Sequence, residues 1–272
     1  MIEEVLKLQM NIFKRFWKSL YAPETIATFR SDKLAKSIIY LILLSFVAFL
    51  PTAYYTYSTT KDALHVGEET ISQQIPEFQV DAGKLKVTDS KEQKEPISID
   101  QGNLHIYFDA TDKITPNYVD ARIGSYDSAI AFLTDGIYIS AAGNSQKVAY
   151  ETVGITDKAS LIHAYQSVEK LATILVPFIL LFVFIIILFS TAMEVLLFAV
   201  LGFLLAGAGR NGITFKQTWN IGTYSITLAT IFTMVMEIIQ VTVPFNMEIN
   251  LVVSLIFVYL AIRTITVSSE KE

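Results

Sequence analysis

The stretch LATILVPFILLFVFIIILFSTAMEVLLFAVLGFLLAGAG, residues 171–209, is apolar almost throughout and carries one charge, Glu194. Such a run is unstable in water and stable in a bilayer, where a helix satisfies its own backbone. Its 39 residues, at a rise of ~1.5 Å each, make a helix of ~58 Å, about twice the depth of the hydrocarbon core. Two readings follow. Either the chain crosses twice and turns near Ser190-Thr191, or one long, tilted or broken helix crosses once and continues along the cytosolic face.

Flanking charge discriminates between them. Arg210 and Lys216 follow the run; the next apolar run, 218–242, leads into a connector at 243–250 with one Glu and no Lys or Arg; the last run, 251–265, carries Arg263, and Lys271 lies beyond it. One crossing places all four basic residues in the cytosol and two crossings place them all outside, so the positive-inside rule favours one crossing and four spans in total.

Composition agrees with a membrane chain. Of 272 residues, 52% are hydrophobic and 17% charged, with a mean hydropathy of +0.45, too apolar for an ordinary soluble domain. There is no cysteine, which excludes disulfides and thiolate metal sites. The net charge of −5 conceals segregation. Residues 1–37 hold seven Lys/Arg against four acids; residues 58–170 hold ten against seventeen; the rest holds four against five. A basic leader, an acidic middle and a nearly uncharged remainder correspond to cytosol, exterior and membrane.

In the leader, Val5, Leu6, Leu8, Ile12, Phe13, Phe16, Trp17 and Leu20 recur at roughly helical spacing with Lys7, Lys14, Arg15 and Lys18 between them. This predicts an amphipathic helix on an anionic membrane surface, with Lys14, Arg15, Phe16 and Trp17 at the headgroups. The plainer alternative is a basic flank that only orients the first span. Pro23 interrupts the helix, and a second short one runs from Glu24 into the membrane. Residues 38–57 form the first span, with Pro51 inside it and Tyr54, Tyr55 and Tyr57 as an aromatic belt. The long leader and the lack of a small-x-small site mark a retained signal anchor rather than a cleaved signal peptide.

Residues 58–170 form the soluble domain. A helix continues to about residue 74; then the period shifts to two, with strand candidates at 77–80, 85–88, 97–100, 104–108, 130–133, 137–140 and 147–152. Asp81-Ala-Gly83, Asp100-Gln-Gly102 and Asp135-Gly136 are hairpin turns between them. Residues 92–96 read as an exposed loop, and 157–170 as a returning helix capped by Asp157. The expected fold is an α-helical transmembrane bundle of about four spans, with a long second hydrophobic helix and an extracytoplasmic α+β domain built on an antiparallel sheet. Its parts are a cytosolic amphipathic basic leader at 1–37, spans at 38–57, 171–209, 218–242 and 251–265, the outer domain at 58–170, a cytosolic loop at 210–217, an outer connector at 243–250 and a cytosolic tail at 266–272.

Few residues suggest chemistry. Glu194 and Glu237 are the acids within long apolar runs, and intramembrane carboxylates can couple ions or relay protons. In a four-span chain they lie near opposite faces, and snorkelling or an interfacial hydrogen bond explains them more simply. Gly202 and Ala206 have the small-xxx-small spacing of close helix packing, within the chain or against a partner. The Gly-rich 206–212 segment lacks the Lys-Ser/Thr of a phosphate loop. Asp109-Ala-Thr111 reads as a turn rather than an aspartyl nucleophile, which would need a second carboxylate or a lysine beside it. His65, His105 and His163 are too scattered for a helical ligand pair. Tyr107, Phe108, Tyr118, Tyr126, Phe132 and Tyr138 would be the core of a small domain or, if exposed, a face for sugar rings or a partner strand.

Three segments carry a family resemblance: the leader Phe13-Lys14-Arg15-Phe16-Trp17-x-x-Leu20-Tyr21-x-Pro23, the strand Ile106-Tyr107-Phe108-Asp109-Ala110-Thr111, and Gly212-Ile-Thr-Phe-Lys-Gln-Thr-Trp219-Asn-Ile-Gly-Thr-Tyr224. With a long second span, this order resembles the uncharacterised Gram-positive membrane family often labelled maltodextrin-utilisation protein MalA. More distantly it is similar to the Yip family, in which the Gly-x-Thr-Phe-Lys-Gln loop follows the long helix on the cytosolic side. The chain departs from the Yip pattern in having Ser225-Ile226 where a proline often follows the tyrosine, and one span fewer. The resemblance implies no enzyme activity. The expectation is a non-enzymatic, multi-pass plasma-membrane accessory or scaffold protein, N-terminus in the cytosol. It would use its outer domain or spans to bind a protein partner or a second copy, for example a sugar-uptake or envelope component, with carbohydrate at the outer domain as a weaker expectation. The alternative is a small transporter, channel or lipid-handling protein that uses its intramembrane carboxylates. Neither reading includes a cofactor, a metal or nucleic acid.

Overall fold

The structure, a computed structural model, describes residues 10–88, 95–102, 104–124, 127–141, 143–207 and 212–269. Sequence readings that fall on residues 1–9, on the loop at 92–94, and on Tyr126, Ala208, Gly209, Arg210 and Lys271 lie outside the described residues. In chain order the elements are α1 Ile12–Ser19, α2 Pro23–Thr28, a 3-10 turn Phe29–Ser31, α3 Leu34–Gln73, β1 Phe78–Asp81, β2 Lys84–Val87, β3 Ile97–Gln101, β4 Leu104–Phe108, α4 Pro116–Asp120, β5 Ser128–Leu133, β6 Gly136–Ala141, β7 Asn144–Val148, α5 Tyr150–Val153, α6 Lys158–Leu205, α7 Phe215–Ser225, α8 Thr227–Ile238 and α9 Asn246–Ser269. They form two compact units: Met1–Thr56 with Pro177–Glu272, and Tyr57–Val176.

Four helical stretches are long and apolar enough to cross a membrane: Leu34–Gln73, Lys158–Leu205, Phe215–Ile238 and Asn246–Ile265. Residues 171–205 of that stretch lie on α6, which has no turn at Ser190-Thr191; Thr191 instead returns its hydroxyl to the Ile187 carbonyl at 2.8 Å, inside the helix. The helix ends at Leu205, just before Gly207 at φ +69°. The third stretch is two helices joined at Ile226. Hydroxyls flank the joint: Thr223 donates to the Trp219 carbonyl (2.9 Å), Thr227 to Tyr224 (2.7 Å) and Thr230 to Ile226 (2.9 Å). Such back-bonding bends helices. Thr214 and Gln217 form a full capping box at the start of α7, which explains the Thr-Phe-Lys-Gln run physically.

Within the first unit the contacts give the helix directions. Along α3 and α7–α8, Asp32 meets Asn220, Tyr40 meets Thr227 and Tyr55 meets Ile238, so the two run parallel. Gly222 faces Val195 and Ala199 while Thr218 faces Gly202, so α6 runs antiparallel to α7. Asn246 and Asn250 both reach Thr233 across the α8–α9 turn. Phe29, Tyr40, Leu44, Phe198, Ile221 and Tyr224 are buried at the centre. Two glycines permit the close approaches. A Cβ on Gly222 would meet the Val195 carbonyl oxygen at 3.3 Å, and one on Gly202 would meet Val258 Cγ1 at 3.1 Å.

The second unit departs from the expected antiparallel sheet. β1 and β2 form a separate hairpin, and β3-β4-β5-β6-β7 form a mixed sheet in which β4 and β5 are parallel, in the register Tyr107↔Ala131. The connection between β4 and β5 contains α4 and is long enough to return the chain to the starting edge. Period-two patterning reports a strand's faces but not its direction, so the parallel pairing of β4 with β5 leaves no mark in it. The expected strand at 147–152 is β7 Asn144–Val148 followed by α5. One face of the sheet buries Ile99, Ile106, Phe108, Phe132 and Ile137 against Ile75, Phe78 and Leu85; the other buries Tyr107, Ala131 and Tyr138 beneath Val119 of α4. Tyr150 anchors the first core by donating to the Leu133 carbonyl at 2.6 Å, and burial raises its pKa.

Candidate functional site

The first unit has a polar cluster at each end. At the leader end, Asn11 caps α1 by accepting from Lys14 N at 2.9 Å, and Ile12 and Phe16 pack on the core. That fixes the helix rotation, so Arg15 points inward. Its guanidinium forms an ion pair with Asp32, donates from Nε to the Met10 carbonyl (2.9 Å) and lies 4.6 Å from the Phe29 ring centroid. Tyr224 donates to Asp32 at 3.2 Å, and Asn220 Nδ2 donates to the Asp32 and Arg30 carbonyls at 2.9 and 3.1 Å. The side chains of Arg15 and Asp32 are 4% and 6% exposed. This clasp ties together the leader, the turn that leads into α3, and α7.

The expected membrane face of the leader is corrected accordingly. Arg15 is in the clasp, because a guanidinium with a buried carboxylate in reach is better satisfied there than at a headgroup. Phe16 is half-buried against the core. Phe13 (73% exposed), Trp17 (63%) and Tyr21 (55%) form the outer stripe, with Lys14 exposed and Lys18 Nζ 5.2 Å from the Tyr21 ring. The second short helix stops at Thr28, and the chain turns through Asp32 before α3 begins.

At the opposite end a cleft of about 440 Å³ opens between α3, the end of α8 and the start of α9. Pro51, Thr52, Tyr55, Glu237, Gln240 and Asn246 line it. Tyr55 donates to the Ile238 carbonyl at 2.5 Å, closing one wall, and Thr233 with Asn246 (3.3 Å) and Asn250 (2.7 Å) forms another. Gln240, at φ +57°, turns the chain out of α8 as Val241 N returns to the Met236 carbonyl at 2.9 Å. The Glu237 carboxylate makes no hydrogen bond or ion pair with any described residue.

Glu194 is half-buried on α6, also without a partner among the described residues. Its neighbour Val195 meets Gly222. Glu237 follows Gly222 by 15 residues, roughly 22 Å along a helix, so the two carboxylates do not share a site. Gly202 and Ala206 pack inside the chain, Gly202 against Val258 and Ile262, and Ala206 within the core.

In the second unit the aromatics Tyr107, Phe108, Phe132 and Tyr138 are buried; Tyr118 is exposed, with Arg122 stacked 3.6 Å from its ring centroid. Asp109 holds a turn by accepting from Thr111 N and Oγ1 (2.7 Å each) and Ile114 N (2.5 Å). Burial alone raises its pKa, and these bonds outweigh burial and hold it below the usual carboxylate range. His105 pairs with its cross-strand neighbour Asp100 at 2.7 Å and lies 3.6 Å from Asp127; the Asp100 hydrogen bond raises its pKa against the opposing effect of burial. Among the described residues, no group of three His, Cys, Asp or Glu is placed to hold a metal ion.

A mostly helical chain with four apolar helices of membrane-crossing length suggests a membrane protein. More particularly, the chain belongs to the family described as "protein of unknown function (DUF1189)", whose model matches residues 13–262, from the leader through both polar clusters to α9. No curated protein and no solved structure matches it.

Proposed function

We propose that the chain is a non-enzymatic accessory protein of the plasma membrane, with a cytosolic N-terminus, four spans and the sheet unit outside. The single observation that carries this reading is the use made of the reactive side chains. Arg15, Asp32, His105, Asp109 and Tyr150 are all engaged in structural contacts, and none converges on a reacting position. The four-span topology draws support from the parallel course of α3 and α7–α8. Spans one and three run parallel when α6 crosses once and would run antiparallel if it crossed twice. The sheet unit would then be the binding element, with exposed Ile139 (43%) and the Tyr118–Arg122 stack on offer to a protein partner. A sugar-uptake or envelope component is the partner that the MalA-like and Yip-like resemblance favours.

The test is site-specific photocrosslinking in cells. Probes at Ile139 and Tyr118 are expected to yield one discrete adduct, and a probe at Lys61 none. Adducts of random mass, or none at either position, would count decisively against it. A second reading is a small lipid-handling or transport protein, and the cleft at Glu237 specifically favours it. Glu237→Gln is then expected to abolish flux into liposomes, and unchanged flux would remove that reading.

A further inference from the structure

We propose that the cleft at Glu237 is a binding site for the ammonium headgroup of an amphiphile, an amine-bearing membrane phospholipid. The charge of the site selects the ligand's sign. Glu237 is the one charged side chain of the lining, and it has no partner among the described residues. It also sits in the last turn of α8, the end at which the helix dipole places partial negative charge. A carboxylate there is unfavourable by itself, and a single positive charge relieves both the carboxylate and the helix end. An anionic group has no cation in the lining to receive it. A bare divalent ion would need several oxygen ligands of suitable charge, and the cleft supplies one carboxylate.

Shape and polarity select an amphiphile over a soluble amine. The volume of about 440 Å³ suits a headgroup. Thr52, Gln240, Thr242 and Asn246 supply neutral donors for a phosphate or ester beside the ammonium. Pro51, Met236 and Val243 make the remaining wall apolar, and Ile238, Ile239 and Val241 stand exposed next to it, a surface for acyl chains. Tyr54 is exposed on the same end of α3, where aromatic residues sit at headgroup depth. Gln240 is held in the left-handed region, which is uncommon for a residue with a side chain and recurs at ligand clamps.

This rests on the second reading only for its use of Glu237; binding without flux upholds the site and removes transport. The experiment is native mass spectrometry of the full chain in detergent, titrated with phosphatidylethanolamine, N-acetylated phosphatidylethanolamine, phosphatidylglycerol and free phosphoethanolamine. The ammonium-bearing lipid is expected to bind at least roughly ten-fold more tightly than the other three, and Glu237→Gln to remove that preference. Glu194→Gln, away from the cleft, is expected to keep it. Equal binding of the N-acetylated lipid or of phosphatidylglycerol, or an unchanged preference in Glu237→Gln, overturns the site. Phosphoethanolamine binding as tightly as the lipid overturns the amphiphile assignment. Glu237 is exposed, so the variant's fold is checked by an unchanged unfolding midpoint.

Discussion

Removing Asp32 should cost far more than removing the whole ion pair. In Asp32→Ala the Arg15 guanidinium keeps the Met10 carbonyl at 2.9 Å and the Tyr224 hydroxyl at 3.5 Å, but loses the one carboxylate it pairs with among the described residues. Both partners are at least 94% shielded, since they are 4% and 6% exposed, so solvent does little to compensate the orphaned charge. Uncompensated buried charges of this kind cost about 3–5 kcal/mol, whereas replacing both partners by apolar residues of similar volume is often near neutral. Arg15→Met with Asp32→Leu should therefore lie within about 1 kcal/mol of the parent, and Tyr224→Phe, which loses one hydrogen bond to a charged acceptor, about 1.5–3 kcal/mol below it.

The assay follows from the chain's two tryptophans. Trp17 is on α1 and Trp219 on α7, one on each side of the clasp. Their fluorescence in mild detergent, titrated with a denaturing one, reports release of the leader. The ordering is the claim: the single variant far below the double, with Tyr224→Phe between. If the double variant is as unstable as Asp32→Ala, the clasp acts through specific polar contacts, and the desolvation argument is wrong. If Asp32→Ala costs under about 1 kcal/mol, Arg15 has an alternative partner and is not locked.

Other consequences are open to direct measurement. Gly222→Ala should destabilise more than Gly202→Ala, by about 1–3 kcal/mol of overpacking, because its Cβ would press on the backbone of Val195 and Ala199 whereas that of Gly202 meets the side-chain ends of Val258 and Ile262; thermal unfolding of both variants ranks them. His105 has a folded pKa above its unfolded value of about 6.5, so its stabilisation is complete below that pH and disappears as pH rises through the folded pKa. The parent should accordingly lose more unfolding midpoint between pH 6 and pH 8 than His105→Gln, and equal losses would refute the pairing with Asp100. Tyr150→Phe should cost about 1–2 kcal/mol by leaving the Leu133 carbonyl unpaired in a core, read by denaturation of the full chain. Single cysteines at 216 and 147 in this cysteine-free chain should label from opposite sides of the membrane; labelling from one side ends the four-span reading.

Much of this architecture is written in hydropathy, and the limits of that signal are physical. Length and apolarity locate four helices because the bilayer demands long apolar segments. They do not locate the joint at Ile226, which depends on where hydroxyls find carbonyls. Amphipathic spacing identifies α1 but assigns Arg15 to the wrong face, since a charge pattern cannot reveal a carboxylate 17 residues away that folds back to meet it. Period two finds the strands and both faces of the sheet, yet it is blind to the parallel pairing of β4 with β5. Asp32, the residue that completes the clasp, has no local signature; it sits in an ordinary turn before an apolar helix.

A sequence signal for the clasp did exist, spread over two segments. The leader motif supplies Arg15, and the Gly212-to-Tyr224 motif supplies Asn220 and Tyr224, and the fold brings these into one network around Asp32. Neither motif makes physical sense alone: a buried arginine needs an acid, and a buried asparagine on a membrane-length helix needs carbonyls. The turn holding Arg30 and Asp32, outside both motifs, supplies the acid for Arg15 and the carbonyls for Asn220, and the leader becomes part of the bundle. The cleft at the opposite end follows the contrary rule, since its carboxylate has no partner among the described residues. The buried guanidinium at the leader end has its carboxylate, whereas the Glu237 carboxylate lacks a cation among the described residues, and the proposed ligand supplies it.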